Sequence, residues 1–382
     1  MVTVMPRRTI VAGTIAVHLL VPALATPTAL AARAAAPPSE AILANRGVVE
    51  IETASSAGIS VRIAEDLVRV VNDGATRRVV PVVGQGSLGN VTDLKLLRGI
   101  DMAILQADVL DNAREQKLFA GIDASISYIT KLYNEEFHLL ARPEIKSIAD
   151  LANHKVNVDL RDSGTAITAK RLFDLIKLTI VPVNDAPDVA LENLRTGKIA
   201  ALAFVAGKPA PIFDHLKGSD GLHFLALPSS AAVTVGYVPA RLTATDYPRL
   251  VPQDQAVDTV AVAAVLVVAN LQQSPDRNRN VANFVDAFFT GFQSLLEPGH
   301  HPKWQEVSLT AEVPGWRRYP AAEQWLQRNL QVAKAPNPEE LLSMFARFVD
   351  ERRQSTGGTP MTPQEKQDLF QQYQRWQTGQ TQ

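Results

Sequence analysis

Val79-Val80-Pro81-Val82-Val83-Gly84-Gln85-Gly86-Ser87-Leu88-Gly89-Asn90-Val91 reads as strand, turn and helix in immediate succession. Four β-branched residues in five make a short buried strand, and Gly84 to Ser87 a tight loop. Leu88, Val91 and Leu94 recur at helical spacing until Gly99, after which Ala103-Ile104-Leu105 forms another apolar strand. Strand, loop, helix and strand in that order are the unit of an α/β fold with mainly parallel sheets.

The unit repeats on both sides. Upstream, a strand is expected over Val48 to Ile51, then a turn at 54–58 and a helix carrying Ile59, Ile63, Leu67 and Val70. Together these segments make the first part of a lobe, residues 45–131. A second lobe, 132–236, is expected to hold strands Phe137–Ala141, Lys155–Asp159, Ala200–Phe204 and Leu222–Leu227 and a helix from Ala166 to Leu178. After Tyr237 the chain is expected to return to the first lobe, over 237–296, with a strand at Val260–Val268 and a helix at Val281–Leu296. The rest, 297–382, reads as a Pro-rich and helical extension with helix signals at Glu323–Leu330, Glu339–Arg352 and Gln364–Trp376. Thr362-Pro363-Gln364-Glu365 has the form of a capping box with proline at the first helical position. Packing back on the lobes is the expected role of these helices.

At 382 residues the chain has room for two cores of ordinary domain size. Hydrophobic residues are 46% and charged residues 20%, with a formal net charge of -1, which offers no concentrated basic face for nucleic acid. There is no cysteine, so disulfides, thiolate metal sites, a cysteine nucleophile and a lipid-modified N-terminal cysteine are all excluded. Arg7 and Arg8 precede an apolar run from Ile10 to Leu24, and Ala29-Leu30-Ala31 has small residues at both cleavage-determining positions. Residues 1–31 are therefore expected to be a secretory signal peptide, with Sec or twin-arginine export both open, because the run is shorter than the roughly 20 residues a membrane span needs. The remaining chain carries 36 basic against 39 acidic residues.

Three turns of one kind occur, at Ser55–Ser60, Gln85–Asn90 and Ser163–Thr168, each setting small and hydroxyl residues before a helix. Free N–H groups at helix starts attract carboxylates, so loops converging on one cleft could hold an anion. N-cap chemistry explains any one of them. Arg161, just before the third turn, could clamp a carboxylate in bidentate fashion. Gln106 and Asp108 follow a buried strand and could reach the same cleft, with Phe204 and Tyr237 as walls.

Two other chemistries compete with this one. Gly84 to Gly89 is a literal G-x-G-x-x-G with Asp108 downstream, the dinucleotide pattern of an NAD(P)-dependent oxidoreductase. It follows the second strand rather than opening the first βαβ unit, and no catalytic set accompanies it; a tight turn accounts for its glycines. No G-x-S-x-G or H-E-x-x-H occurs, His138 sits on an apolar strand, and His300-His301-Pro302 suits a loop better than a metal site. No cofactor and no metal is expected.

The blocks Gly86-Ser87 with Asn90-Val91 and Leu96-Leu97, Asp101 to Val109, Asp162 to Ala169, Phe204-Val205-Ala206-Gly207, Tyr247-Pro248 and Val257 to Val262 keep a characteristic order and spacing. Over Val48 to Leu296 the chain resembles the TAXI-type solute-binding proteins of TRAP transporters. The resemblance implies a two-lobed periplasmic-binding-protein clamshell, type II-like, without enzymatic activity. Such a protein works in the periplasm and delivers a small organic anion, a carboxylate or an amino acid such as glutamate, to a fused TRAP membrane permease. A monomer is expected. On that reading the cleft residues are Ser56, Gly58, Ser60, Gln85, Ser87, Gln106, Ser163, Gly164, Thr165 and Phe204, with Arg161 added from its position. An exported module sensing its ligand for a membrane kinase would use the same fold. The first loop departs from the family in lacking an aromatic near the helix start, and Leu160-Arg161-Asp162 is poorer in glycine, which implies a different or bulkier ligand.

Overall fold

The computed structural model describes residues 45–330 apart from 55–57, 75, 229–232 and 234–235, together with 40, 342, 345, 346 and 361–377, the side chains of 330 and 371–377 excepted. Residues 45–382 form one unit and 1–44 another; the expected signal peptide lies outside the described residues, as does nearly all of the expected helix at 339–352.

The unit opens with β1 (Val48–Thr53), α1 (Ser60–Val71), β2 (Arg78–Val83), α2 (Ser87–Leu96), β3 (Met102–Gln106), α3 (Ala107–Glu115) and the one-turn α4 (Ile122–Ser125). Strand β4 (Ile126–Ala141) leads to β5 (Lys155–Asn157), α5 (Gly164–Leu175), β6 (Val181–Val183), α6 (Pro187–Arg195), β7 (Ala201–Ala206) and the two-residue β8 (His223–Phe224). Then come β9 (Val238–Thr243), β10 (Ala256–Ala269), α7 (Pro275–Thr290), α8 (Phe292–Leu295), α9 (Pro320–Leu330) and α10 (Pro363–Gln377). Helix α1 forms because Ile63, Leu67 and Val71 fall on one face, and all three are buried. Helix α7 starts with Pro275 at its first position and buries Val281, Phe284, Val285 and Phe288.

The strands make one sheet in the order β2-β1-β3-β10-β4-β7-β5-β6, with β8 against β4 and β9 against β10. Two parallel sets, β2-β1-β3 and β7-β5-β6, are joined through antiparallel β10 and β4, so the sheet is mixed where mainly parallel pairing was expected. Two apolar clusters flank the first half of the sheet, around Ile63, Phe284 and Trp304 and around Leu105 and Leu110. Two more flank the second half, around Phe137 and Phe173 and around Phe204 and Phe213.

The halves are connected through long strands. A 16-residue β4 runs unbroken across 131/132, where a lobe boundary is expected from sequence. Its first part pairs with β10 and its second with β7, and the β10 register slips between Ala263 and Val265. The return of the chain also comes later than expected: β9 pairs with the start of β10, and Leu242, Tyr247 and Val251 pack in the second half. Between 302 and 326 the chain belongs to the core of the first half, where Trp304 and Ala322 are fully buried and Leu326 nearly so. Further on, Thr362 and Glu365 form the expected capping box: the Thr362 amide donates to Glu365 Oε2 at 2.8 Å and the Glu365 amide to Thr362 Oγ1 at 3.3 Å. No helix among the described residues is long and apolar enough to cross a membrane.

Candidate functional site

Loops following β1, β2, β5, β6 and β7 meet, with the end of β3, over a cleft of about 570 Å³ at the carboxyl ends of the two parallel strand sets. That edge is where open α/β sheets put their ligands, because the helices that follow the strands start there. Helices α1, α2, α5 and α6 all begin at the cleft, with Ser60, Ser87, Gly164 and Pro187 lining it.

Of the residues expected from sequence, Gly58, Ser60, Gln85, Ser87, Gln106, Ser163, Gly164, Thr165 and Phe204 line this one cleft. Ser56 lies outside the described residues. Arg161 is exposed and is not part of the lining. Tyr237 and Asp108 stand behind the wall: Tyr237 Oη and Thr168 Oγ1 donate to Asp108 Oδ2 at 2.9 and 2.7 Å. Glu135, Asp159, Asp188 and Ile212 line the cleft without having been singled out.

The hydroxyls share one use. Ser60 Oγ accepts from the Ala54 amide at 3.1 Å, Ser87 Oγ from the Gln106 amide at 3.4 Å and Thr165 Oγ1 from the Val205 amide at 3.0 Å. Each oxygen thus accepts from a neighbouring backbone segment, a loop for Ser60 and the strands β3 and β7 for Ser87 and Thr165, while the hydroxyl keeps a hydrogen to donate. Ser163 is the N-cap of α5, accepting from the Ala166 amide at 3.1 Å.

The floor is made by β3 and β4. Gln106 Nε2 donates to Glu135 Oε2 at 2.7 Å, and Tyr133 Oη donates to Glu135 Oε1 at 3.2 Å. Burial pushes the Glu135 carboxyl up to about 7, against the opposing pull of those two hydrogen bonds. Gln106 Oε1 is buried with no partner. Beyond Glu135 the next residue points elsewhere: Glu136 is held by Lys303 Nζ at 2.7 Å, and that ammonium also bonds Glu306 at 2.7 Å. Asp159, two residues beyond β5, takes a left-handed backbone, φ 65°, and burial raises its carboxyl.

Phe204 is anchored from the side away from the cleft. The Phe204 carbonyl lies 3.3 Å from His138 Nδ1, and His138 Nε2 lies 2.6 Å from Tyr247 Oη, which accepts from the Ala210 amide at 2.8 Å. The network assigns the proton to Nδ1, and burial lowers the imidazole to about 3, so His138 is neutral and structural.

The two halves touch at one rim of the cleft. The Leu88 amide donates to the Asp162 carbonyl at 3.2 Å, and Arg171 pairs with Glu115 at 2.9 Å. Gly86 has φ 126°, and a β-carbon there would sit 3.0 Å from Ser163 Cα; one on Gly164 would overlap Gln106 Oε1. Gly84 packs in the same way on Asn90 and Glu52. Space vacated at Gly84 and Gly86, two glycines of the G-x-G-x-x-G turn, is thus filled by protein rather than left open for a pyrophosphate. Among the described residues, no group of three or more His, Cys, Asp or Glu could hold a metal ion.

The NMT1-like family matches residues 51–277. The periplasmic binding protein BugD is 12% identical, with 75% of this chain and 97% of that one covered and a TM-score of 0.45. The alkanesulfonate-binding protein SsuA from Xanthomonas axonopodis pv. citri, bound to MOPS, is 12% identical over 75% of this chain and 92% of its own, TM-score 0.41. A TctC solute-binding protein from Polaromonas is 13% identical over 65% and 88%, TM-score 0.38.

Proposed function

The chain belongs to the NMT1-like family, and from that premise we propose that it is the solute-binding protein of a transporter, closing its two halves on a small organic solute. The observation that carries this reading is the cleft itself: four helix starts and the hydroxyl side chains of Ser60, Ser87 and Thr165 line one space of about 570 Å³, large enough for a small molecule. Such a donor-rich wall matches a carboxylate, whose oxygens only accept. We therefore assign the solute a carboxylate and place it against Ser60, Ser87 and Thr165.

The finer reading follows from the resemblance to TAXI-type proteins: a receptor working in the periplasm as a monomer and passing its solute to a TRAP-type permease. Contacts to both halves favour the closed form, so closure follows from differential affinity and needs no other energy source.

A thermal-shift screen of the chain against small carboxylates, amino acids and nucleotides is the test. A ligand present at 100 times its dissociation constant adds about 2.7 kcal/mol to stability and raises the midpoint. The expected result is a shift with one acid whose affinity Ser87→Ala or Thr165→Ala reduces by roughly 10- to 150-fold, the worth of a hydrogen bond to a charged group. A midpoint moved by nucleotides alone would overturn the receptor reading.

A further inference from the structure

Strand β1 turns Glu50 and Glu52 to one face of the sheet, as residues two apart on a strand must. Each meets a second carboxyl, Glu50 that of Asp101 and Glu52 that of Asp93. The first pair is answered by Arg277, whose Nε lies 2.7 Å from Asp101 Oδ1. The second has no such partner: among the described residues Asp93 is the only charge that acts on Glu52. Glu52 is 2% exposed, and two carboxyl groups this close and this far out of water do not both stay ionised without a positive charge beside them.

Buried oxygens are also left over at that place. Glu52 Oε2 and Asn90 Oδ1 have no hydrogen-bond partner. Asn90, fully buried in α2, donates from Nδ2 to the Thr53 carbonyl at 3.1 Å. That bond fixes the amide, since turning it over would set oxygen against oxygen. Both side chains lean over Gly84: a β-carbon there would collide with Asn90 Oδ1 and with Glu52 Oε1 alike. A proton shared by Glu52 and Asp93 supplies one hydrogen, and one hydrogen does not serve the pair and Asn90 Oδ1 together. One hard cation does, because it takes several oxygens at once and favours carboxylates, an asparagine amide oxygen and water. The set has only two acidic groups, its third member being an amide, which suits calcium and not zinc. Asp93 is half-buried, which leaves the ion a route from solvent.

We infer that Glu52, Asn90 and Asp93 hold a calcium ion between the end of β1 and α2. Calcium fits better than magnesium, which demands near-ideal octahedral geometry and gives up water reluctantly. The ion ties Glu52 to α2 next to the turn whose Gln85, Gly86 and Ser87 line the cleft. The site does not depend on the receptor reading, and no solute enters its test.

Calorimetric titration of the chelator-treated full chain with calcium chloride is that test. One site per chain is expected, with a dissociation constant of roughly 10⁻⁴ to 10⁻³ M, the range of extracellular modules. Asp93→Asn changes charge but not shape at a half-buried position, and is expected to weaken calcium roughly 10-fold or more, because ligand charge sets the affinity of such sites. Asp276→Asn, at an exposed aspartate of α7, is expected to change nothing. Anomalous scattering from crystals grown with calcium is expected to put the ion against Glu52, Asn90 Oδ1 and Asp93, a result that needs no variant. Absence of binding up to about 10 mM calcium would mean that a shared proton or a water settles the pair, and would overturn the site. So would an ion found on other carboxylates, or an affinity that Asp93→Asn leaves intact.

Discussion

Glu135 does two opposed things: it holds Gln106 and Tyr133 in place from the middle of β4, and it keeps a carboxyl group in a buried position that resists ionisation. Its folded value of about 7 lies above the 4.5 of an exposed glutamate, so between those values the folded chain binds more protons than the unfolded one. Stability from this group is therefore complete below 4.5 and is lost as pH rises through about 7. Denaturant unfolding of ligand-free protein should show Glu135→Gln to be more stable than wild type by about 1 to 3 kcal/mol at pH 8, the gap closing toward pH 4.5. A gap that is constant with pH would mean the carboxyl is not the titrating group. None of this is visible in Tyr133-Asn134-Glu135-Glu136, where nothing local distinguishes one glutamate from the other. Which of them faces the cleft and which faces Lys303 follows from the alternation of a strand whose length the sequence did not disclose.

At the scale of elements, the strand-to-helix turns were the legible part. Hydroxyl and glycine residues ahead of a helical period locate Ser60, Ser87 and Ser163 to Thr165, since N-caps and tight turns constrain residue type locally. The turn between β2 and α2 also shows why a pattern match is weaker than its environment. Gly86 is needed because its backbone lies in the left-handed region and because Ser163 of the other half lies against it. Gly86→Ala should destabilise the chain by about 1 to 3 kcal/mol and weaken solute binding, whereas Gly89→Ala, with only Gln85 Cβ at 3.5 Å, should be near neutral or stabilising. Equal losses at both positions, measured by thermal unfolding, would count against this account. Among the elements that escaped the sequence reading are β6 and α6, which bring Pro187 and Asp188 to the cleft. Three residues of β6 are too few to show a period.

For the whole molecule, the halves are joined by β4 and β10 and touch again where Asp108 receives Thr168 and Tyr237. Asp108 sits in α3 of the first half and Thr168 in α5 of the second, so this bond exists only when the halves are together. Thr168→Val should therefore weaken solute affinity by roughly 3- to 10-fold without touching the cleft, the worth of one buried hydrogen bond charged to closure. Small-angle scattering should show the variant more open than wild type without solute and equally compact at saturation. An unchanged affinity would remove the contact from the closing equilibrium.

The sequence by itself determined the α/β class, most of the strands and helices, and the three turns that face the cleft, because hydrophobic period and turn chemistry act over a few residues. Only the tertiary structure decided that one strand crosses the expected lobe boundary, that Trp304 and its neighbours complete the first core, and that Arg161 stands outside the cleft. It alone decided the charge of the site, too. Glu135, Asp159 and Asp188 come from three loops and strands far apart in the chain, and their convergence is set by strand order and packing, which no local pattern records.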